Sequence, residues 1–159
     1  MGKVRATIST RGVAKQRHDM YAGVMERVNE SIKAGFYLEA ITFLESIISD
    51  RLESFCNEQT CSSNLSFKCM GTLIIKAEEF PISDSWLDLM KRLKEWKKSR
   101  NEALHQMAKI EVGDISTFSE RYNKCKSYAN DGKKLFREID NEIRKYRKLK
   151  LQTTNIKLL

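Results

Sequence analysis

Residues 117–146 read TFSERYNKCKSYANDGKKLFREIDNEIRKY. Within them Phe118, Tyr122, Cys125, Ala129, Gly132, Phe136, Ile139, Ile143 and Tyr146 recur at alternating steps of four and three, the spacing that lines up one face of an α-helix. Thr117 and Glu120 stand at capping-box spacing and mark the start of this helix. An isolated helix is marginal in water, so a seam this long has to be covered by other helices. Gly132 lies on the seam, which predicts a neighbouring helix in close approach rather than a break.

Working outward from that helix, the same period recurs upstream. A first helix is predicted from about Ala14 to Ala34, with Tyr21, Val24, Met25, Val28 and Ile32 on one stripe and Gly35 just past its end. A second opens at Phe36 and Tyr37, runs along Leu38, Ile41, Leu44, Ile48, Leu52 and Phe55, and ends near Glu58. Residues 59–70 are polar and aperiodic and read as a loop. Residues 73–80 read as a short helix closed by Pro81, and Ser85-x-x-Asp88 resembles a capping box opening a helix from Trp86 to about Lys109. Amphipathic helices must bury their stripes together, so the expected fold is all-α: an antiparallel four- to five-helix bundle. The predicted organisation is a basic tail over 1–13, a single helical domain over 14–150 and a C-terminal tail over 151–159.

Composition agrees with that class. The chain has 159 residues, 41 % of them hydrophobic, with only 7 Gly and 1 Pro, too few breakers for a sandwich or barrel. No apolar run approaches the roughly 18 residues of a membrane span, and no secretory signal is visible, so the expectation is a cytoplasmic protein without membrane contact. The four cysteines, Cys56, Cys61, Cys69 and Cys125, form no C-x-x-C pair, and the only histidines are His18 and His105. No metal site and no cofactor is expected from such a set. Phosphate-loop, dinucleotide-binding, nucleophile-elbow and zinc-protease motifs are absent.

The net charge of +8 is unevenly spread. Residues 91–100 carry +5 and residues 121–150 carry +7, whereas residues 18–90 carry −7. Concentrated Lys and Arg are what neutralising a polyphosphate requires, although most charge runs are solvated faces. The +5 segment leads into Arg100-Asn101-Glu102-Ala103-Leu104-His105. Arg100 falls where the apolar stripe of its helix calls for an apolar residue, so it should face an anion, a polar interface or a groove. Asn101 and His105 lie one turn apart on one face, with Lys94 and Lys98 beside them, and Lys97 adds a third cation. An imidazole titrates near neutrality and can move the proton of a ribose 2′-hydroxyl. A fixed cation and a hydrogen-bond donor such as Arg100 and Asn101 can stabilise the phosphorane oxygens.

Arg-Asn-x-x-x-His, late in a helical domain and just before a long final helix, resembles the motif of the HEPN superfamily, an Arg followed after four to six residues by His. The resemblance spans the helical layout from about Val13 to Lys150, but its specific part is Arg100, Asn101 and His105. It implies a metal-independent endoribonuclease of the toxin or phage-defence type, with Arg100, Asn101 and His105 catalytic and Lys94, Lys97 and Lys98 on the RNA. It also implies a homodimer whose two motifs meet in one cleft, and leaves room for an antitoxin or sensor protein as a further partner. Family members often bring a polar residue from the second helix to the motif; Asp50 and Glu53 are the candidates here, with Arg51 and, more weakly, Glu45 beside them. One family branch carries a tyrosine two residues after the histidine; Met107 stands there, so that branch's regulation is not carried over. Two other readings compete: a non-catalytic HEPN-like module that binds RNA, a nucleotide or a protein, and an unrelated basic bundle in which Arg100 is salt-bridged to a carboxylate and His105 is merely exposed.

Overall fold

A computed structural model describes residues 11–61, 65, 68–109, 112–113 and 115–156. Five helices account for nearly all of them: α1 (Arg11–Ala34), α2 (Tyr37–Thr60), α3 (Met70–Glu78), α4 (Trp86–His105) and α5 (Phe118–Ile156). The all-helical class holds. α1 starts at Arg11, inside the stretch predicted as a tail, and the rest of that tail, 1–10, lies outside the described residues. α5 continues to Ile156, into the predicted C-terminal tail.

α2 is the centre of the molecule. Ala40, Ile41, Leu44, Ile48, Leu52 and Phe55 are fully buried, and α2 packs against α1, α3, α4 and α5. α1 and α2 form a helical hairpin closed by Gly35, whose φ of +86° suits a residue without Cβ. There the Phe36 N–H donates to Ser31 O at 2.7 Å, the six-to-one bond of a Schellman turn. α4 runs antiparallel to α2, since Phe55 meets Trp86 at 5.2 Å between ring centroids while Glu45 meets Arg100. α2 and α5, however, run parallel: Tyr37 packs on Tyr122, Arg51 pairs with Asp140 and Glu58 with Arg147. The expectation of a uniformly antiparallel bundle is corrected on this point, because the tie of Tyr122 Oη to Gly35 O at 2.7 Å starts α5 at the α1–α2 turn.

The glycine on the α5 seam is where the helices come closest. A Cβ on Gly132 would stand 2.5 Å from Cζ2 of Trp96, so only glycine admits the indole of α4. The same indole donates from Nε1 to Tyr128 O at 2.7 Å, and Trp86 Nε1 donates to Ala77 O at 2.9 Å. Both tryptophans are therefore core anchors with satisfied polar tips. Phe118, the first residue of the predicted seam, is exposed and stacks on Tyr122 at 5.8 Å.

The two predicted capping boxes part ways. At α5, Thr117 N donates to Glu120 Oε2 at 2.7 Å and Glu120 N to Thr117 Oγ1 at 3.2 Å, the full reciprocal pair. At α4, Ser85 makes no side-chain cap hydrogen bond, and Asp88 instead receives Arg92 Nε at 3.0 Å.

Candidate functional site

α4 ends at His105, four residues before the predicted end, and the reason lies in α5. The Arg121 guanidinium donates to Gln106 O at 3.2 Å, to Met107 O at 3.3 Å and to Lys109 O. It takes up carbonyls that a continued helix would have used itself, and its charge suits a helix C-terminus. No feature near the motif announced Arg121; its contact is fourteen residues away in sequence.

Arg100, one turn earlier, turns inward. Its side chain is 16 % exposed and forms an ion pair with Glu45 of α2, itself 23 % exposed. Arg100 Nη1 donates to Asn101 Oδ1, while Arg100 Nε is buried with no hydrogen-bond partner. Burial pushes the guanidinium's pKa down, although an arginine in water keeps its proton across the whole working range. Asn101 is half-buried, and Ala103 below it is in the core. His105 is exposed and makes no hydrogen bond or ion pair among the described residues. Five residues turn the helix by about 140°, so within one chain Arg100 and His105 leave α4 on different sides. The motif is brought to one helix end, but guanidinium and imidazole do not meet.

The second-helix partner is Glu45, the weakest of the sequence candidates. Asp50 accepts Tyr21 Oη at 2.7 Å and Arg17 Nε at 3.0 Å, which commits it to the α1–α2 contact. Glu53 is buried in α2, about 12 Å along the axis from Glu45. Arg51 is buried against Asp140 at 2.6 Å. The signal for Glu45 was present: it interrupts the apolar stripe of α2 as Arg100 interrupts that of α4, and the two interruptions carry opposite charge.

The three lysines predicted to bind RNA are placed differently from one another. Lys94 is paired with Glu78 at 2.6 Å and Lys98 with Glu95 at 2.9 Å. Lys97 lies across the first turn of α3, where its Nζ stands 2.8 Å from the site of a Cβ on Gly71. α3 thus begins under Lys97, and the last turns of α4, from Ser99 to His105, project past it.

A cavity of about 200 Å³ adjoins the motif on the α5 side, lined by Glu102, Gln106, Met107, Arg121, Cys125 and Tyr128 among others. Tyr128 Oη donates to Glu102 Oε2 at 3.4 Å, and burial followed by the charge of Glu102 pushes the phenol up. Of the four free cysteines, Cys56 is buried and its thiol is pushed up to about 12. Cys69 is exposed, and its hydrogen bond with Thr72 Oγ1 at 3.3 Å pulls its thiol down. Among the described residues no group of three or more His, Cys, Asp or Glu side chains could hold a metal ion, and no helix is long and apolar enough to cross a membrane. No protein-family model matches the chain, and no curated protein or solved structure matches it either.

Proposed function

We propose that the chain is a HEPN-type endoribonuclease that works as a homodimer. The observation that carries this reading is the end of α4, where Glu45 and Asn101 hold Arg100 while the His105 imidazole stands exposed on the last turn. In the proposed reaction one imidazole takes the proton of a ribose 2′-hydroxyl, whose oxygen attacks the adjacent phosphorus. The bond from phosphorus to the 5′-oxygen breaks, and the leaving oxygen takes a proton from the partner's His105. The products are a 2′,3′-cyclic phosphate and a 5′-hydroxyl. Arg100 supplies fixed positive charge near the phosphorane, and Asn101 orients it. Because the two side chains leave α4 on different sides, the second copy is needed to bring guanidinium and imidazole around one phosphate. A role as a toxin or phage-defence effector, with an antitoxin or sensor protein as partner, belongs to the same reading.

Total RNA incubated with the protein in EDTA tests it. Cleavage leaving 2′,3′-cyclic phosphate ends, abolished by His105→Ala and by Arg100→Ala in variants that melt cooperatively, is the expected result. A protein that stays monomeric at micromolar concentration and cuts no RNA would overturn it. A second reading, a non-catalytic module of the same shape, is favoured by the ion pair itself, since it engages Arg100 with a carboxylate inside one chain. Tight RNA binding without cleavage would identify that case.

A further inference from the structure

A row of cations lies along one side of α5, away from the motif. At 100° per residue, Lys126, Asn130, Lys133, Arg137, Asn141, Arg144 and Lys148 share an arc of about 80° along one side of that helix. They follow steps of four, three, four, four, three and four and extend over about 33 Å at 1.5 Å per residue. Every residue on the arc between Lys126 and Lys148 is Lys, Arg or Asn. The side chains of Lys126, Lys133, Arg137 and Lys148 make no ion pair or hydrogen bond among the described residues. Arg144 donates to Asp140 at 2.7 Å, but that carboxylate also faces Arg51 at 2.6 Å, so two guanidiniums share one negative charge.

Four of the five carboxylates of α5 gather on a different arc, and the fifth, Asp140, borders the strip between Arg144 and Arg51. Glu120, Asp131, Glu138 and Glu142 lie within about 40° of each other on the side facing α4. Glu138 takes Arg92 at 2.5 Å and Glu142 takes Lys145 at 2.9 Å. An ordinary solvated helix interleaves its signs so that i,i+4 pairs form. α5 forms such pairs at the margins of the strip, Arg144 with Asp140, Lys134 with Asp131 and Lys145 with Glu142, but Lys126, Lys133, Arg137 and Lys148 on the strip have none among the described residues.

We propose that this strip is a track for the phosphate backbone of a nucleic acid, distinct from the motif at the end of α4. A protein partner would call for an apolar anchor within the patch; between Lys126 and Lys148 the strip has none, and the exposed Leu151 on the same arc lies one turn beyond its end. A phosphate backbone calls only for cations and hydrogen-bond donors, and Lys, Arg and Asn supply both. The inference deepens the ribonuclease reading by giving the RNA a path, yet it stands on binding alone and does not need His105 to cleave.

Fluorescence anisotropy with a labelled 30-nucleotide single-stranded RNA and the His105→Ala protein tests it. Five neutralised phosphates give a slope of log affinity against log salt of about −3.5, roughly 100-fold weaker binding at 200 mM than at 50 mM salt. The exposed-residue variant Lys126→Gln/Arg137→Gln/Lys148→Gln should flatten that slope by about 2. The charge-matched variant Lys124→Gln/Lys134→Gln/Lys145→Gln, off the strip on the same helix, should leave it within about 1 of wild type. Equal flattening by both variants, or no RNA binding at 50 mM salt, overturns the proposal. Competition by polyglutamate as effective as by RNA of equal charge overturns it in favour of an acidic protein. Single-stranded DNA binding as tightly as RNA supports it and shows that the backbone alone is read. Strip-dependent binding by a wild-type protein that cuts no RNA supports the track and removes the catalytic reading, so the two fail separately.

Discussion

The ion pair between Arg100 and Glu45 allows a stability measurement whose outcome depends on why the pair is there. Its two side chains are 16 % and 23 % exposed. Removing one partner of a fully buried pair costs about 3–5 kcal/mol and of an exposed pair about 0–1, so this half-buried pair sits near about 2 kcal/mol for either single substitution. Arg100→Leu strands a partly desolvated carboxylate. Glu45→Leu strands a guanidinium whose Nε already lacks an acceptor. In the double variant both apolar stripes run on uninterrupted, Leu89, Leu93 and Trp96 into position 100 and Ile41, Leu44 and Ile48 around position 45. The double variant should therefore cost only about 1 kcal/mol, a coupling of about 3 kcal/mol between contacting residues. At this chain length 1 kcal/mol shifts the melting temperature by about 2–4 °C, so each single variant should melt about 4–8 °C below wild type and the double within about 4 °C. Thermal unfolding followed by circular dichroism reads all four proteins. A double variant that falls by the sum of the singles would refute the reasoning, because the pair would then hold α2 and α4 together by something other than mutual neutralisation. The recovered double variant should cut no RNA, which separates stability from activity.

Three other outcomes follow from the geometry. Gly132→Ala drives a Cβ into the Trp96 indole and should cost about 1–3 kcal/mol as overpacking, read as a lowered melting temperature with reduced tryptophan order; an unchanged melting curve would contradict the close approach. Among the thiols, Cys69 should alkylate with its reactivity rising below the pH usual for cysteine, because the hydrogen bond with Thr72 favours the thiolate; Thr72→Val should move that rise to higher pH, while Cys56, buried and pushed up to about 12, stays unmodified in the folded protein. Arg121→Ala releases the carbonyls after α4, so amide exchange over residues 101–107 should quicken by about tenfold, as the loss of about 1.4 kcal/mol of local stability requires, with the core of α2 unchanged.

Much of the bundle was legible because helical periodicity is local. The seam from Tyr122 to Tyr146, Gly132 on it and the Thr117–Glu120 box all follow from residues within a few turns of one another. What escaped depends on contacts across the chain. The end of α4 is set by Arg121, and an apolar pattern that continues to Met107 gives no hint of that. The partner of Arg100 could have been found by matching the two stripe interruptions, a comparison between helices rather than within one. Asp50 and Glu53 were attractive as acidic residues of the right helix, but a shift of five or eight positions along α2 aims them elsewhere. Lys94 of α4 looked free in sequence because its carboxylate, Glu78, arrives from another helix, whereas Glu95, the partner of Lys98, was in view three residues away. The parallel course of α2 and α5 has no local signature, since it is set by the tie of Tyr122 to the α1–α2 turn, a contact 87 residues apart in sequence.

The bracing of α4 by Arg121 has a mechanical side. α5 is unbroken from Phe118 to Ile156, and Arg121 belongs to its first turns while the carbonyls it holds directly follow His105. The mount of the imidazole is thus tied to the first turn of a helix that is itself fixed to α2 by Asp140 and Arg147, so the position of His105 is set by the packing of α5 along the bundle as well as by α4.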